Sequence, residues 1–207
     1  MRMVPGDAVI PAMRMVPGDA DGVSAMPRQD GPGSLQPVLR IRPAADVDAP
    51  RVAALHGASV AASVRATGRV KEHPGSYADR LVAYIESVRS PRHVLLYAEL
   101  WRKPVGFALL GPPSRKAEAD GRAVGELCQL HVLPTRRRRY IGSALHAAAL
   151  RWWRHTGEEE AWSTVRDDNV PARRFLDHHG WQLTDPARDL AGAVPWLTYR
   201  LPLTRIG

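Results

Sequence analysis

The sequence predicts a mixed α/β domain, a mostly antiparallel central sheet flanked by helices. Three observations predict it. Short apolar runs alternate with polar residues between turn signals. Longer segments carry apolar residues at helical spacing. The two kinds follow one another as β-α-α-β-β-β-α-β-α-β-β, antiparallel in character at first and βαβ-like later.

The elements can be justified in order. VLRIRPA at 38–44 alternates as a strand does. Asp46 or Asp48 can cap a following helix that has Pro50 in its first turn and Val52 and Leu55 among its apolar positions. Ser76 opens a second helix in which Tyr77, Leu81, Tyr84, Ile85 and Val88 recur on one side, with Asp79 placed for a capping box. HVLLYAEL and PVGFALLG flank WRK as the arms of a β-hairpin. A polar loop leads into GELCQLHV, a third central strand. Ile141, Ala144, Leu145, Ala148 and Trp152 mark the next helix. EAWSTVR is a short strand, and PARRFLDHHG is a helix stopped by Gly180. WQLT and PWLTYRLPL close the chain as strands.

Residues 1–37 differ in character. They hold six prolines and five glycines, and MRMVPGDA occurs twice, at 1–8 and 13–20. So little apolar pattern cannot offset the entropy of ordering, so the expectation is a disordered tail before a domain spanning 38–207.

The 207 residues carry a net charge of +8, with 44% hydrophobic content. The tail has three arginines against four aspartates, so the rest of the chain carries +9. A basic domain attracts anions, whether nucleic acid or a nucleotide-like cofactor. No apolar run approaches the roughly 20 residues of a membrane span, and no unbroken apolar core suggests a secretory leader. Cys128 is the only cysteine, which excludes an internal disulfide and a multi-cysteine metal site. The expected location is the cytoplasm.

The chemistry concentrates in LHVLPTRRRRYIG at 130–142 and NVPARRFLDHHGW at 169–181. A strand that ends in a turn opening directly into a helix leaves amides without intrahelical partners. Together with the positive end of the helix dipole, these amides make a diphosphate site. The two segments resemble the signatures of the GNAT acetyltransferases, V-x-P-x-x-R-G-x-G-x-G/A and N-x-x-A-x-x-F-Y-x-x-x-G-F. Val132, Pro134, Arg137 and Gly142 match the first; Asn169, Ala172, Phe175, Gly180 and the aromatic Trp181 match the second. LRIRPAADVDAPRVAALH looks like the family's first strand and helix, and the likeness covers roughly 38–203.

The resemblance implies acetyl-CoA as cosubstrate. Its diphosphate would be held by the amides of Arg137, Arg138, Arg139, Tyr140, Ile141, Gly142 and Ser143. Leu130 and Val132 would line the carrier's path, and a main-chain amide near Val132 would stabilise the oxyanion. Arg137 is the arginine expected to contribute at the phosphates; its neighbours are either solvated or contacts for the 3′-phosphate. Gly142 would let the backbone approach phosphate. Asn169 is both a natural helix N-cap and the residue that often meets the pantetheine arm in the family, and Phe175 lies beside that arm.

Two departures stand out. Arg138 and Tyr140 occupy positions where the family usually has glycine, and Leu176 replaces its usual proton-donating tyrosine. A left-handed backbone at the first two would cost on the order of 1–2 kcal/mol each. For a general base, Glu126 and His131 are both candidates. Regular alternation would put them on opposite faces, unless a bulge of the kind the family carries breaks the parity. His131 is otherwise a strand histidine packed beside the helices.

The leading expectation is an N-acetyltransferase acting on a primary amine, on a small molecule or a protein, by direct attack in a ternary complex. No metal is expected, and a homodimer is left open. Two alternatives remain: a CoA-binding relative that catalyses weakly, and a basic nucleic-acid-binding domain.

Overall fold

The computed structural model describes residues 38–67, 76–114, 121–185 and 195–203. The expected tail at 1–37 and the centre of the polar loop at 115–120 lie outside these. Seven strands form one sheet: β1 (Leu39–Pro43), β2 (Val94–Leu100), β3 (Lys103–Gly111), β4 (Val124–Val132), β5 (Glu160–Arg166), β6 (Gln182–Asp185) and β7 (Trp196–Pro202). Their spatial order is β1-β2-β3-β4-β5-β7-β6. The helices are α1 (Ala49–Thr67), α2 (Tyr77–Arg89), α3 (Ile141–Thr156) and α4 (Val170–His178). Among the described residues, no helix is long and apolar enough to cross a membrane.

The sheet separates two cores. On one face α1 and α2 press Val52, Leu55 and Tyr84 against Leu95, Tyr97, Phe107 and Leu109. On the other, α3 and α4 press Leu145, Trp153 and Leu176 against Leu96, Leu110, Leu127 and Leu197. The closest approach is at Gly125, where an added Cβ would lie 2.2 Å from Nε1 of the buried Trp153. Only glycine lets α3 settle on β4 at that point.

Local chemistry sets the ends. Ser76 Oγ accepts from the Asp79 amide at 3.1 Å while the Asp79 carboxylate accepts from the Ser76 amide at 2.7 Å, the reciprocal box expected for α2. Before α1 the outcome differs. Asp46–Asp48 form a 3-10 turn, and Asp48 turns back to accept from the Ala45 amide at 2.9 Å and from both Arg42 terminal nitrogens at 2.7 and 3.0 Å. Its carboxylate ties β1 to this turn instead of capping α1. The hairpin between β2 and β3 turns on Trp101 and Arg102, with φ of 53° and 59°. Two successive left-handed residues match the twist of the paired strands.

Every strand pair is antiparallel except β4–β5. That pair holds register only through Val124–Glu160, Gly125–Ala161 and Glu126–Trp162. Beyond it the Ser163 hydroxyl still reaches Leu127 O at 3.1 Å, and the ladder then stops. The second half of β4 therefore has a neighbour on the β3 side alone.

Candidate active site

Against β3, the partners of Leu109 and Leu110 are Gln129 and Leu127, so Cys128 is an extra residue in β4. This bulge reverses parity along the strand. Leu127 belongs to the α3-side core, whereas Gln129 meets Tyr84 of α2 and His131 meets His56 of α1. Gly125 faces Trp153 of α3, so Glu126 points the other way. Glu126 and His131 thus share the α1/α2 face, although up to about 16 Å of strand separates them at roughly 3.3 Å per residue. The structure brings them to one side without pairing them.

Glu126 is buried, and the Ser114 amide and hydroxyl donate to its carboxylate at 2.5 and 3.2 Å. His131 lies flat against Phe107, ring centroids 5.0 Å apart, and 4.6 Å from the ring of His56. Burial pushes the His131 imidazole down to about 3, with His56 and Arg137 as positive neighbours adding to the effect. His56 is lowered as well, by burial and then by Arg80. Tyr84 ties this cluster together, its hydroxyl 2.8 Å from His56 Nδ1 and 2.6 Å from Gln129 Oε1. Nothing in the sequence joins residues 28 and 45 positions apart, so sequence reasoning missed His56, Tyr84 and Gln129.

At the end of β4, Leu133 donates to Val105 O at 2.9 Å, and Pro134–Arg136 make a 3-10 turn. The chain then enters α3 through a kinked turn in which Arg138 (φ 58°) and Tyr140 (φ 59°) are both left-handed. The strain weighed from the sequence is present at both positions. The Ala144 amide is the first to bond back into α3, to Tyr140 O at 2.9 Å. The amides of Ile141, Gly142 and Ser143 therefore crown the helix without intrahelical partners.

The arginine run divides. Arg137 folds back, its Nε 3.4 Å from Val132 O and a terminal nitrogen 3.3 Å from Ser59 Oγ, pinning the turn to β4 and α1. Its guanidinium, expected at the phosphates, is held by these two protein groups although the residue is exposed. Arg138, Arg139 and Tyr140 are exposed.

Beyond the end of the β4–β5 ladder, Leu130, Gly142 and Phe175 come together. A Cβ on Gly142 would lie 3.2 Å from Phe175 Cε2 and 3.8 Å from Leu130 Cδ2. This glycine allows the close packing of α3 on α4. Asn169 caps α4, its Oδ1 accepting from the Ala172 amide at 3.4 Å. Leu176 is 2% exposed within the α3-side core. Trp101, Tyr77 and Trp196 are all exposed. Beside the crown, Ser143 Oγ lies 3.1 Å from His179 Nε2, a relationship the sequence also gave no means of finding.

A model of the acetyltransferase (GNAT) family matches residues 65–181, more than half of the chain. No curated protein sequence matches. Solved structures share the fold at low identity. A GNAT-family acetyltransferase from Desulfovibrio desulfuricans is 18% identical, with a TM-score of 0.65 over 81% of this chain and 100% of that one. The PaiA N-acetyltransferase of Thermoplasma acidophilum, in complex with coenzyme A, is 18% identical, with a TM-score of 0.64 over 79% and 98%. The ribosomal-protein-S18-alanine N-acetyltransferase of Escherichia coli is 16% identical, with a TM-score of 0.61 over 82% and 97%.

Proposed function

This chain belongs to the GNAT acetyltransferase family, and on that premise we propose that it transfers acetyl from acetyl-CoA to a primary amine by direct attack in a ternary complex. One observation carries the reading. Beside the gap between β4 and β5, the turn from Arg137 to Ser143 keeps a left-handed backbone at Arg138 and Tyr140 although neither is glycine. Non-glycine residues hold that conformation only when their surroundings impose it, and here it aims the crown amides outward, where a diphosphate is bound.

The remaining roles follow from position. The amides from Arg138 to Ser143 take the diphosphate, that of Arg137 being turned back to Pro134 O at 3.4 Å, and the carrier's arm runs through the gap past Leu130, Val132 and Phe175. Asn169 holds the start of α4 beside it. A main-chain amide near Val132 meets the developing oxyanion. Glu126 accepts the ammonium proton through water, its carboxylate oriented by Ser114. His131, held neutral down to about 3, is the weaker proton acceptor and shapes the cleft wall. The thiolate leaves without help from α4, a tolerable step for a thiol whose ordinary pKa is near ~8.5. The arginine run forms a turn, not a helix or strand able to enter a nucleic-acid groove.

Buried Leu176 favours a second reading, a CoA-binding relative with little turnover. Titrating acetyl-CoA by calorimetry and then following thiol release with a panel of amines decides between them. Binding with release supports transfer, binding without release supports the second reading, and absence of binding removes both. Glu126→Gln should lower kcat at least tenfold with acetyl-CoA affinity unchanged.

A further inference from the structure

Three histidines gather where α4 ends against the start of α3. His179 packs 4.4 Å from the ring of His146, 4.4 Å from Phe175 and 5.2 Å from His178. It reaches one polar group of α3, Ser143, in the turn whose amides crown that helix. A partner fixes the proton position on His146, while on His179 it depends on the tautomer. His146 Nε2 accepts from Trp181 Nε1–H at 2.9 Å, so its lone pair on that nitrogen is already used. A serine hydroxyl has one proton to give. With His179 neutral and its Nε2 bare, Ser143 O–H donates to it.

We propose that His179 is a further residue of the diphosphate site, coupled to it through Ser143, so that binding a diphosphate draws one proton from solvent onto His179 Nε2. This rests on the reading that the α3 crown takes the diphosphate of CoA. A phosphate oxygen at the crown accepts the Ser143 hydroxyl proton, which swings that O–H away from His179. The Nε2 lone pair would then face the Ser143 oxygen with nothing between them. An Nε2–H restores the bond in the opposite sense, His179 donating to Ser143 Oγ and Ser143 to phosphate. A change of neutral tautomer would supply that hydrogen as well, and it is the charge of the anion that favours the imidazolium over the tautomer. The imidazolium adds a positive charge behind the hydroxyl, where the anion profits from it.

In the unliganded protein, burial and the neighbouring His178 hold His179 below the ordinary histidine range. The groups facing it are Ser143 and His146 from α3 and Phe175 and His178 from α4. His146 is held lower, at about 4, by burial and then by His179, and its bond from Trp181 would break on protonation. His178 is exposed and touches the crown only through His179. His179 is the group left to take the proton. By linkage, affinity must rise as pH falls wherever the complex holds more protons than the free protein.

The test is calorimetry of the full chain with dephospho-CoA, which lacks the 3′-phosphate and whose diphosphate does not titrate near neutrality. Titrations at pH 6.0 to 7.5, in two buffers of different ionisation enthalpy, count the protons exchanged. The expected result is uptake approaching one proton, with Kd rising up to about tenfold per pH unit in that window. His179→Gln, which keeps a group able to donate to Ser143, should bind with no uptake and a flat profile; Ser143→Ala should lose the uptake as well. His178→Gln should retain it. Binding by the unmodified protein without proton uptake, or uptake that survives His179→Gln, overturns the proposal and leaves the diphosphate site standing. If neither dephospho-CoA nor CoA binds at any pH, the site reading falls and takes this inference with it.

Discussion

The hydroxyl of Tyr84 lies 2.8 Å from Nδ1 of His56, and it has a single proton to give. That proton goes to Gln129 Oε1, 2.6 Å away, so the contact with His56 runs from Nδ1–H to the phenolic oxygen. One hydroxyl thereby joins α1, α2 and β4. It also leaves His56 Nε2, which is buried and has no hydrogen-bond partner among the described residues, as the bare nitrogen of that ring.

Tyr84→Phe keeps the aromatic packing against Phe107 and removes only that hydroxyl. It strands a buried N–H on His56 and an acceptor on Gln129, at an expected cost of about 2 kcal/mol in urea denaturation. Affinity for acetyl-CoA should not change, because the proposed site on α3 is separate. A loss below about 0.5 kcal/mol would mean the network contributes little.

Replacing Arg138 and Tyr140 together by glycine should stabilise the protein. Each residue carries left-handed strain of about 1–2 kcal/mol, against which glycine loses about 0.5–1 kcal/mol in chain entropy. A net gain of about 1 kcal/mol corresponds to a Tm higher by about 2–4 °C in a chain of this size. A fall in Tm would show that the side chains hold the turn through contacts of their own.

Gly125→Ala should be among the most damaging single-atom additions in the molecule. Its Cβ would fall 2.2 Å from Nε1 and 2.4 Å from Cδ1 of Trp153, which is 1% exposed and cannot yield. A loss of about 3 kcal/mol or more is expected from thermal denaturation. Trp153→Phe, itself destabilising, should recover part of that loss in the double variant. Strict additivity would show that the two residues do not collide.

The elements were legible because each rests on local pattern: alternation in β1, the apolar runs of β2 and β3 around a short turn, the Ser76–Asp79 box of α2, Gly180 after α4. The two signature segments lie where the resemblance puts them, at the end of β4 and along α4. What escaped depends on distance or on unmarked backbone. The resemblance left a bulge in β4 open, but no glycine marks Cys128 as its place, and it is this bulge that puts Glu126 and His131 on one face. Asp48 is a suitable N-cap residue in sequence, yet the Arg42 fork captures it first. The cluster of His56, Tyr84 and Gln129, like the bond between Ser143 and His179, joins residues that only the closed fold brings together.

Stability should decline on mild acidification. His131 and His146 are held at about 3 and about 4 when folded, chiefly by burial, while the unfolded chain's histidines titrate near 6.5. The unfolded state therefore binds protons first. The stability tied to both groups is complete above about pH 6.5 and drains as pH falls toward their folded values. Between pH 7 and pH 5 the loss should be on the order of 3 kcal/mol, read from urea midpoints at the two pH values. Equal stability at both would show that one or both rings are already charged in the folded protein.

Leucine at 176 also bears on which acyl donors the protein could use. In the proposed transfer this side chain, sealed in hydrocarbon, offers the departing sulfur no hydrogen, which leaves the speed of bond cleavage to the intrinsic acidity of the thiol being expelled. Thioesters of more acidic thiols should be consumed faster, and those of less acidic thiols slower, more steeply than in an enzyme that carries a phenol at this spot.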